Sequence, residues 1–142
     1  MYYSNLVKKA SLISYQAHLK DVDKSGYPYF MHPMTLAVQL DDEITVCVAL
    51  LHDVIEDHGD KYSLSYLEKE GFPKEVIDAL RLLTHQEGIE YLEYIKAIKN
   101  NDIARRVKLA DLRHNSDLSR CQDFIPYKYD LYQKAIKILE NK

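Results

Sequence analysis

Apolar positions recur three and four residues apart along most of this chain, the spacing of one face of an α-helix. Leu6, Ala10, Ile13 and Ala17 predict a helix over about residues 4–20. "DVDKSGYPYF" breaks it at Gly26 and Pro28. In "MHPMTLAVQL", Pro33 suits a first helical turn and puts His32 at the helix start. "DDEITVCVALLHDVIED" predicts a second strong helix, opened by acids that suit its N-terminal dipole, and "HGD" ends it. Ser63 to Glu70 is a short helix closed by Gly71. "FPKEVIDALRLLTH" puts Val76, Ile77, Leu80 and Leu83 on one face behind Pro73. After Gly88, "IEYLEYIKAIK" does the same with Ile89, Leu92, Ile95 and Ile98. "NDIARRVKLADLRHNSDLSR" follows, with Asn101 or Asp102 as its cap, and a last helix runs from Tyr127 to about Glu140. No stretch alternates as a strand does, and no repeat, linker or low-complexity segment appears. The pattern predicts one all-α domain over residues 1–142, with seven or eight helices.

Composition narrows the function. The chain has 142 residues, few Gly and Pro, no Trp and 12 Tyr, which favours an ordered, helix-rich core over disorder. Its net charge of -3 gives no support to a general nucleic-acid-binding role, although a local basic pocket for a small anion is compatible with it. Cys47 lies in an apolar run and reads as a small buried hydrophobe. With Cys121 as the second cysteine, there is neither a disulfide framework nor a CxxC pair. The first twenty residues lack the continuous apolar core of a signal peptide, and no stretch approaches a membrane span. The expectation is a cytoplasmic protein with no membrane partner.

One stretch does not fit a plain core. "ALLHDVIED" sets His52, Asp53, Glu56 and Asp57 within two turns of an otherwise apolar helix. At helical spacing, His52 stacks on Glu56 and Asp53 on Asp57, so the four form one polar stripe. A helix that is apolar nearly all round is buried, so the stripe is expected to face an internal cleft. For Glu56 and Asp57 alone, a solvated helix end explains as much. For His52 and Asp53 it does not, because neighbouring desolvated carboxylates need a cation. A divalent metal supplies one, and His plus Asp offers it nitrogen and oxygen ligands. His32, at a turn-to-helix junction, and Asp111, on the apolar face of its helix, are the candidates to complete the set. Lys108, one turn earlier, offers Asp111 an ordinary ion-pair partner instead.

His32-Pro33, His52-Asp53, Glu56-Asp57 and "VKLADLRHN", with Asp111 and Asn115, resemble the HD superfamily of metal-dependent phosphohydrolases. More closely, the chain resembles the hydrolase domain of the RelA/SpoT family and its small stand-alone relatives. Ala17-His18, "GYPYFMHP", "ALLHDVIED", "LLTH" and "VKLAD" match in order over most of the chain. The resemblance implies His32, His52, Asp53 and Asp111 as ligands of one divalent ion, Mn²⁺ in this branch. It implies chemistry at Glu56 and Asp57, and a nucleotide pocket near Lys24 and Asn115. The implied activity is removal of the 3′-pyrophosphate from guanosine tetra- and pentaphosphate. One segment departs from the pattern: the family's base-stacking Arg position is Asp23 here, and Asp cannot stack a planar cation on a purine.

Four protein ligands and about two open positions on a six-coordinate ion are therefore expected. Glu56 and Asp57 are expected to orient or deprotonate a water. Lys24, Lys108 and Asn115 are the candidate phosphate or ribose contacts, and Tyr29 is held as a further one because it lies between Lys24 and His32. The other tyrosines are expected to pack the core and rim. His58, His85 and His114 receive no role, and His18 reads as a satisfied structural histidine. Two alternatives stay open: a phosphohydrolase of NADPH or a nucleoside monophosphate, and a non-catalytic nucleotide- or metal-binding helical domain. The oligomeric state is not legible.

Overall fold

The computed structural model describes residues 1–120 and 127–141, so Cys121 lies outside the described residues. Eight α-helices follow one another: α1 (Asn5–Ala17), α2 (Met31–Val38), α3 (Glu43–His58), α4 (Leu64–Lys69), α5 (Lys74–Leu83), α6 (Tyr91–Lys99), α7 (Asp102–Asn115) and α8 (Tyr129–Glu140). Extended pairing among the described residues is limited to one isolated bridge, Val22 with Pro28. The expected all-α class is the observed one.

Polar residues start several helices, Asn101 among them as the sequence predicts. The side chains of Ser4, Asp42, Ser63 and Asn101 each accept a backbone N–H from the first turn that follows. Glu90 does the same for α6, which therefore begins at Tyr91 and not at Ile89. The seventh helix is shorter than expected. Asp117 Oδ1 accepts both the N–H and the hydroxyl proton of Ser119. This local bonding competes with the helix, and residues Leu118–Arg120 form only a 3-10 turn.

α3 is the central element. It packs against α1, α2, α5 and α7, and every residue from Thr45 to His52 is buried. Leu50, Leu51 and Val54 are fully covered, and each such side chain contributes roughly 1.5–3 kcal/mol of burial. α7 lies across α3 and also touches α2, α5, α6 and α8. His32, His52, Asp53 and Asp111 thus sit on three mutually packed helices.

Asp42 fastens two of those helices. Its carboxylate accepts the Thr45 N–H at 2.9 Å, the Thr45 hydroxyl at 2.7 Å and the Arg106 guanidinium of α7 at 3.1 Å. Partial burial opposes the charge, but the Thr45 bonds and Arg106 prevail and lower its pKa. Asp42→Ala is expected to destabilise the fold by about 1 kcal/mol in urea unfolding near neutral pH. The contribution is complete above the unfolded carboxylate pKa of about 3.9 and is lost as pH falls through the lower folded value. A parent-to-variant gap that widened on acidification would contradict this.

Candidate functional site

The turn that follows α1 aims the first site residues. Asp23 Oδ1 accepts the N–H of Ser25 and of Tyr27, and Gly26 takes a φ of 89°, which a side chain would strain. The chain then returns through Tyr29 into α2, and His32 in its first turn points inward. Its Nε2 lies 2.8 Å from Asp111 Oδ1 of α7 and 3.7 Å from Asp53 Oδ2 of α3. His52 Nε2 lies 3.1 Å from the same Asp53 oxygen and 3.5 Å from the same Asp111 oxygen. The four residues expected from the sequence therefore meet at one point.

Their surroundings fix each group. His52 Nδ1–H donates to the Ala49 carbonyl at 2.7 Å, so a neutral ring presents a bare lone pair at Nε2. That nitrogen is buried and makes no well-formed hydrogen bond, although two carboxylate oxygens face it. Burial opposes a charge on His52, yet Asp53 and Asp111 outweigh it and hold its pKa well above the usual value. The site thus demands a positive charge at Nε2, as a proton or as a metal. The separations of 2.8–3.7 Å suit the second, because ligand bonds of about 2.0–2.2 Å place neighbouring donors roughly 3 Å apart. His32, His52 and Asp53 offer ligand atoms all within 4.8 Å of one another, and Asp111 adds a second carboxylate. The donor set of two imidazoles and two carboxylates fits a divalent ion.

Outer partners orient the cluster. Tyr29 donates its hydroxyl to Asp53 Oδ2 at 2.6 Å, and burial with the nearby Asp53 charge pushes its pKa up, so it remains a donor. Asn115 Nδ2 donates to Asp111 Oδ1 at 3.1 Å. Lys108 Nζ donates to Asp111 Oδ2 at 2.9 Å. Burial disfavours both of these charges, but each stabilises the other, raising the Lys108 pKa and lowering that of Asp111. The ion pair weighed for Lys108 is present, on the carboxylate oxygen that points away from His32.

His114 was given no role by sequence, yet its Nδ1 lies 2.6 Å from His32 Nδ1 and the two rings stack at 4.9 Å. Burial, the nearby His32 and Arg120 lower its pKa to about 4, so the ring is neutral. It can accept the His32 Nδ1 proton, which leaves His32 Nε2 free as a ligand. The signal was its position three residues after Asp111 on one helix.

A cavity of about 340 Å³ opens over Asp53 and Asp111. Lys108, Asn115, Tyr29 and Glu56 line it, with Lys128 at one side. Glu56 Oε1 accepts the backbone N–H of His85 at 3.0 Å. Tyr91, Tyr94 and Tyr132 form an aromatic wall, with Tyr91 5.7 Å from Tyr94 and 6.5 Å from Tyr132 between ring centres. Packing was the expected role of these tyrosines, and the Tyr91-Tyr94 spacing of three was the hint that they share a face. Asp57 does not line this cavity. It borders an adjoining hollow with Asp21, His58 and the other side of Tyr29, so the expected single stripe divides in two. Partial burial and the negative Asp53 and Glu56 raise its pKa to about 6. Lys24 does not line the cavity either; its ammonium lies over the Tyr127 ring at 4.9 Å. Asp23 pairs with Arg120 at 3.4 Å in addition to capping its turn.

Fold and cluster define a class: an all-helical protein with a His/Asp cluster held between three helices beneath an anion-compatible cavity. The chain belongs to the HD domain family, whose pattern matches residues 17–116. It is similar to a probable GTP pyrophosphokinase of Mycobacterium leprae, at 33% identity over 135 residues, 86% of this chain and 16% of that protein. It is also similar to a probable guanosine-3′,5′-bis(diphosphate) 3′-pyrophosphohydrolase of Mycoplasma genitalium, at 41% identity over 56 residues, 37% of this chain and 8% of that protein. The chain thus spans less than a fifth of the length of these curated relatives. Its fold matches the solved structure of a metazoan ortholog of SpoT that hydrolyses ppGpp, with a TM-score of 0.72 and 24% identity over 99% of this chain and 89% of that one.

The cluster generates a binding prediction. Mn²⁺ at a hundredfold excess over its Kd should stabilise the parent by about 2.7 kcal/mol in thermal unfolding. Asp111→Asn, which keeps the shape and removes the charge, should lose most of that gain. An equal gain in the variant would contradict the site.

Proposed function

We propose that this chain is a metal-dependent phosphohydrolase of nucleotides that removes the 3′-pyrophosphate of guanosine tetra- or pentaphosphate, in the cytoplasm, with one Mn²⁺ held by His32, His52, Asp53 and Asp111. The observation that carries the proposal is the buried, unpartnered Nε2 of His52 facing two carboxylates at the floor of a cavity that also holds a lysine and an asparagine. Names borne by the relatives support the substrate class.

A divalent ion bound there supplies a Lewis acid for a phosphoryl oxygen and lowers the pKa of a water. Everything else falls to the chain. Asp53, Asp111 and Glu56 against Lys108 leave two negative charges, which a divalent ion would neutralise, and Lys128 at the cavity side then makes the site net positive for phosphate. Lys108 and Asn115 line that site and serve the phosphates or the ribose. Glu56, steered into the cavity by the His85 N–H, is the group assigned to take the proton of the attacking water. Asp57, across Tyr29, adds negative field to the Tyr29-Asp53 contact and helps keep the phenol protonated. The tyrosine wall offers faces for the base.

One observation favours a second substrate class. Asp23 is committed to its turn and to Arg120, and Lys24 leans on Tyr127, so neither is free to read guanine. NADPH or a nucleoside monophosphate fits such a site by its phosphate alone.

The test is Mn²⁺-dependent release of phosphate or pyrophosphate from a panel holding the guanosine alarmones, NADPH and nucleoside monophosphates. Asp53→Ala should lose bound Mn²⁺ and turnover together. Glu56→Gln should keep the metal and lose about 10²–10⁴-fold in kcat. Parental turnover in Glu56→Gln would remove the base assignment, and a metal-free parent with full activity would remove the mechanism.

A further inference from the structure

A second His/Asp cluster lies outside the cavity. His18 caps the C-terminal end of α1, and a tight turn, closed by the Asp21 N–H on the His18 carbonyl at 3.0 Å, folds Asp21 back beside it. His58 ends α3, 37 residues later in sequence, and reaches the same carboxylate. His18 Nδ1 lies 3.0 Å and His58 Nε2 lies 2.6 Å from one oxygen, Asp21 Oδ2. The two imidazoles face each other at 5.5 Å and 71°. Ligand atoms of all three residues fall within 4.8 Å of one another.

Three features set this apart from an ordinary surface ion pair. The first is convergence: two ring nitrogens from distant segments meet on a single oxygen, the arrangement that three ligands of one ion adopt. The second is rigidity on one side and access on the other. His18 is 1% exposed, and its Nε2 has no hydrogen-bond partner, so the ring's polar contact is made at Nδ1 alone. Asp21 and His58 remain about one-third exposed. The third is room: a hollow of about 430 Å³, bordered by Asp57 and Tyr29, opens beside Asp21 and His58.

We propose that His18 Nδ1, Asp21 Oδ2 and His58 Nε2 form a second divalent-cation site, suited to Zn²⁺, with its open position toward the hollow between Asp57 and Tyr29. Two imidazoles, one carboxylate and a water make a common four-coordinate zinc set. Tetrahedral bonds of about 2.0–2.1 Å place ligand atoms about 3.3 Å apart, so the 3.0 and 2.6 Å separations from Asp21 need to open by about 0.3 and 0.7 Å. The ion ties the turn after α1 to the end of α3. It also lies one residue from the first cluster, since Tyr29 packs on His18 at 4.9 Å and donates to Asp53.

Co²⁺, followed by its visible absorption and by stoichiometry at equilibrium dialysis, tests the site. The parent is expected to bind two equivalents and His58→Gln one. Asp53→Ala should retain one, with an absorption spectrum typical of low coordination number, and Asp53→Ala combined with His58→Gln should retain none. His58 is at a partly exposed helix end, so its variant is expected to fold, which circular dichroism checks. Unchanged stoichiometry in His58→Gln overturns the proposal. The first site fails separately: a parent that binds one equivalent, lost on His58→Gln and kept on Asp53→Ala, supports the second site and rejects the first.

Discussion

The hydrogen bond from His52 Nδ1 to the Ala49 carbonyl turns the other ring nitrogen toward Asp53 and Asp111, where it needs a positive charge, as a proton or as a metal. Without a cation between them, the arrangement sets three electron-rich atoms against one another in a buried place. The rest of the site follows from that demand. Lys108 neutralises the far oxygen of Asp111, Tyr29 and Asn115 donate to the near ones, and His114 backs His32. Each contact occupies an atom that would otherwise compete for the ion or turn away from it.

Such a cluster needs a stiff frame. α3 provides it by being buried almost all round, so His52 and Asp53 cannot swing out without opening the core. α2 and α7 hold the other two ligand candidates and both pack on α3. The charge balance has a further consequence. Asp53, Asp111 and Glu56 against Lys108 make a negative floor that a divalent ion would neutralise, and Lys128 at the cavity side tips the balance to positive.

Much of this was legible in the sequence. Apolar spacing placed the seven or eight expected helices in order, because periodicity reports burial directly. "ALLHDVIED" was legible because acids in an apolar helix need a partner; a histidine at a helix start and an acid on an apolar face made His32 and Asp111 candidates, and the resemblance implied the same set. The misses share one cause: they depend on how distant segments are aimed. The Glu56-Asp57 pair looked like one stripe, but the Tyr29 ring divides the space above it. Lys24 is near Tyr29 in sequence, yet the Gly26 turn sends its side chain to Tyr127. His114 and His58 looked unpartnered because His32 and Asp21 lie 82 and 37 residues away. The segment around Asp23, where the chain departs from the family's base-stacking pattern, also carries Asp21 of the second cluster.

Anomalous scattering at the Mn edge, from crystals grown with Mn²⁺, tests the central claim most directly. The account predicts a peak at coordinating distance, about 2.0–2.2 Å, from His32 Nε2, His52 Nε2, Asp53 Oδ2 and Asp111 Oδ1. Ordered density for these four side chains with no peak between them, and with His52 Nε2 donating a proton to Asp53, would contradict it.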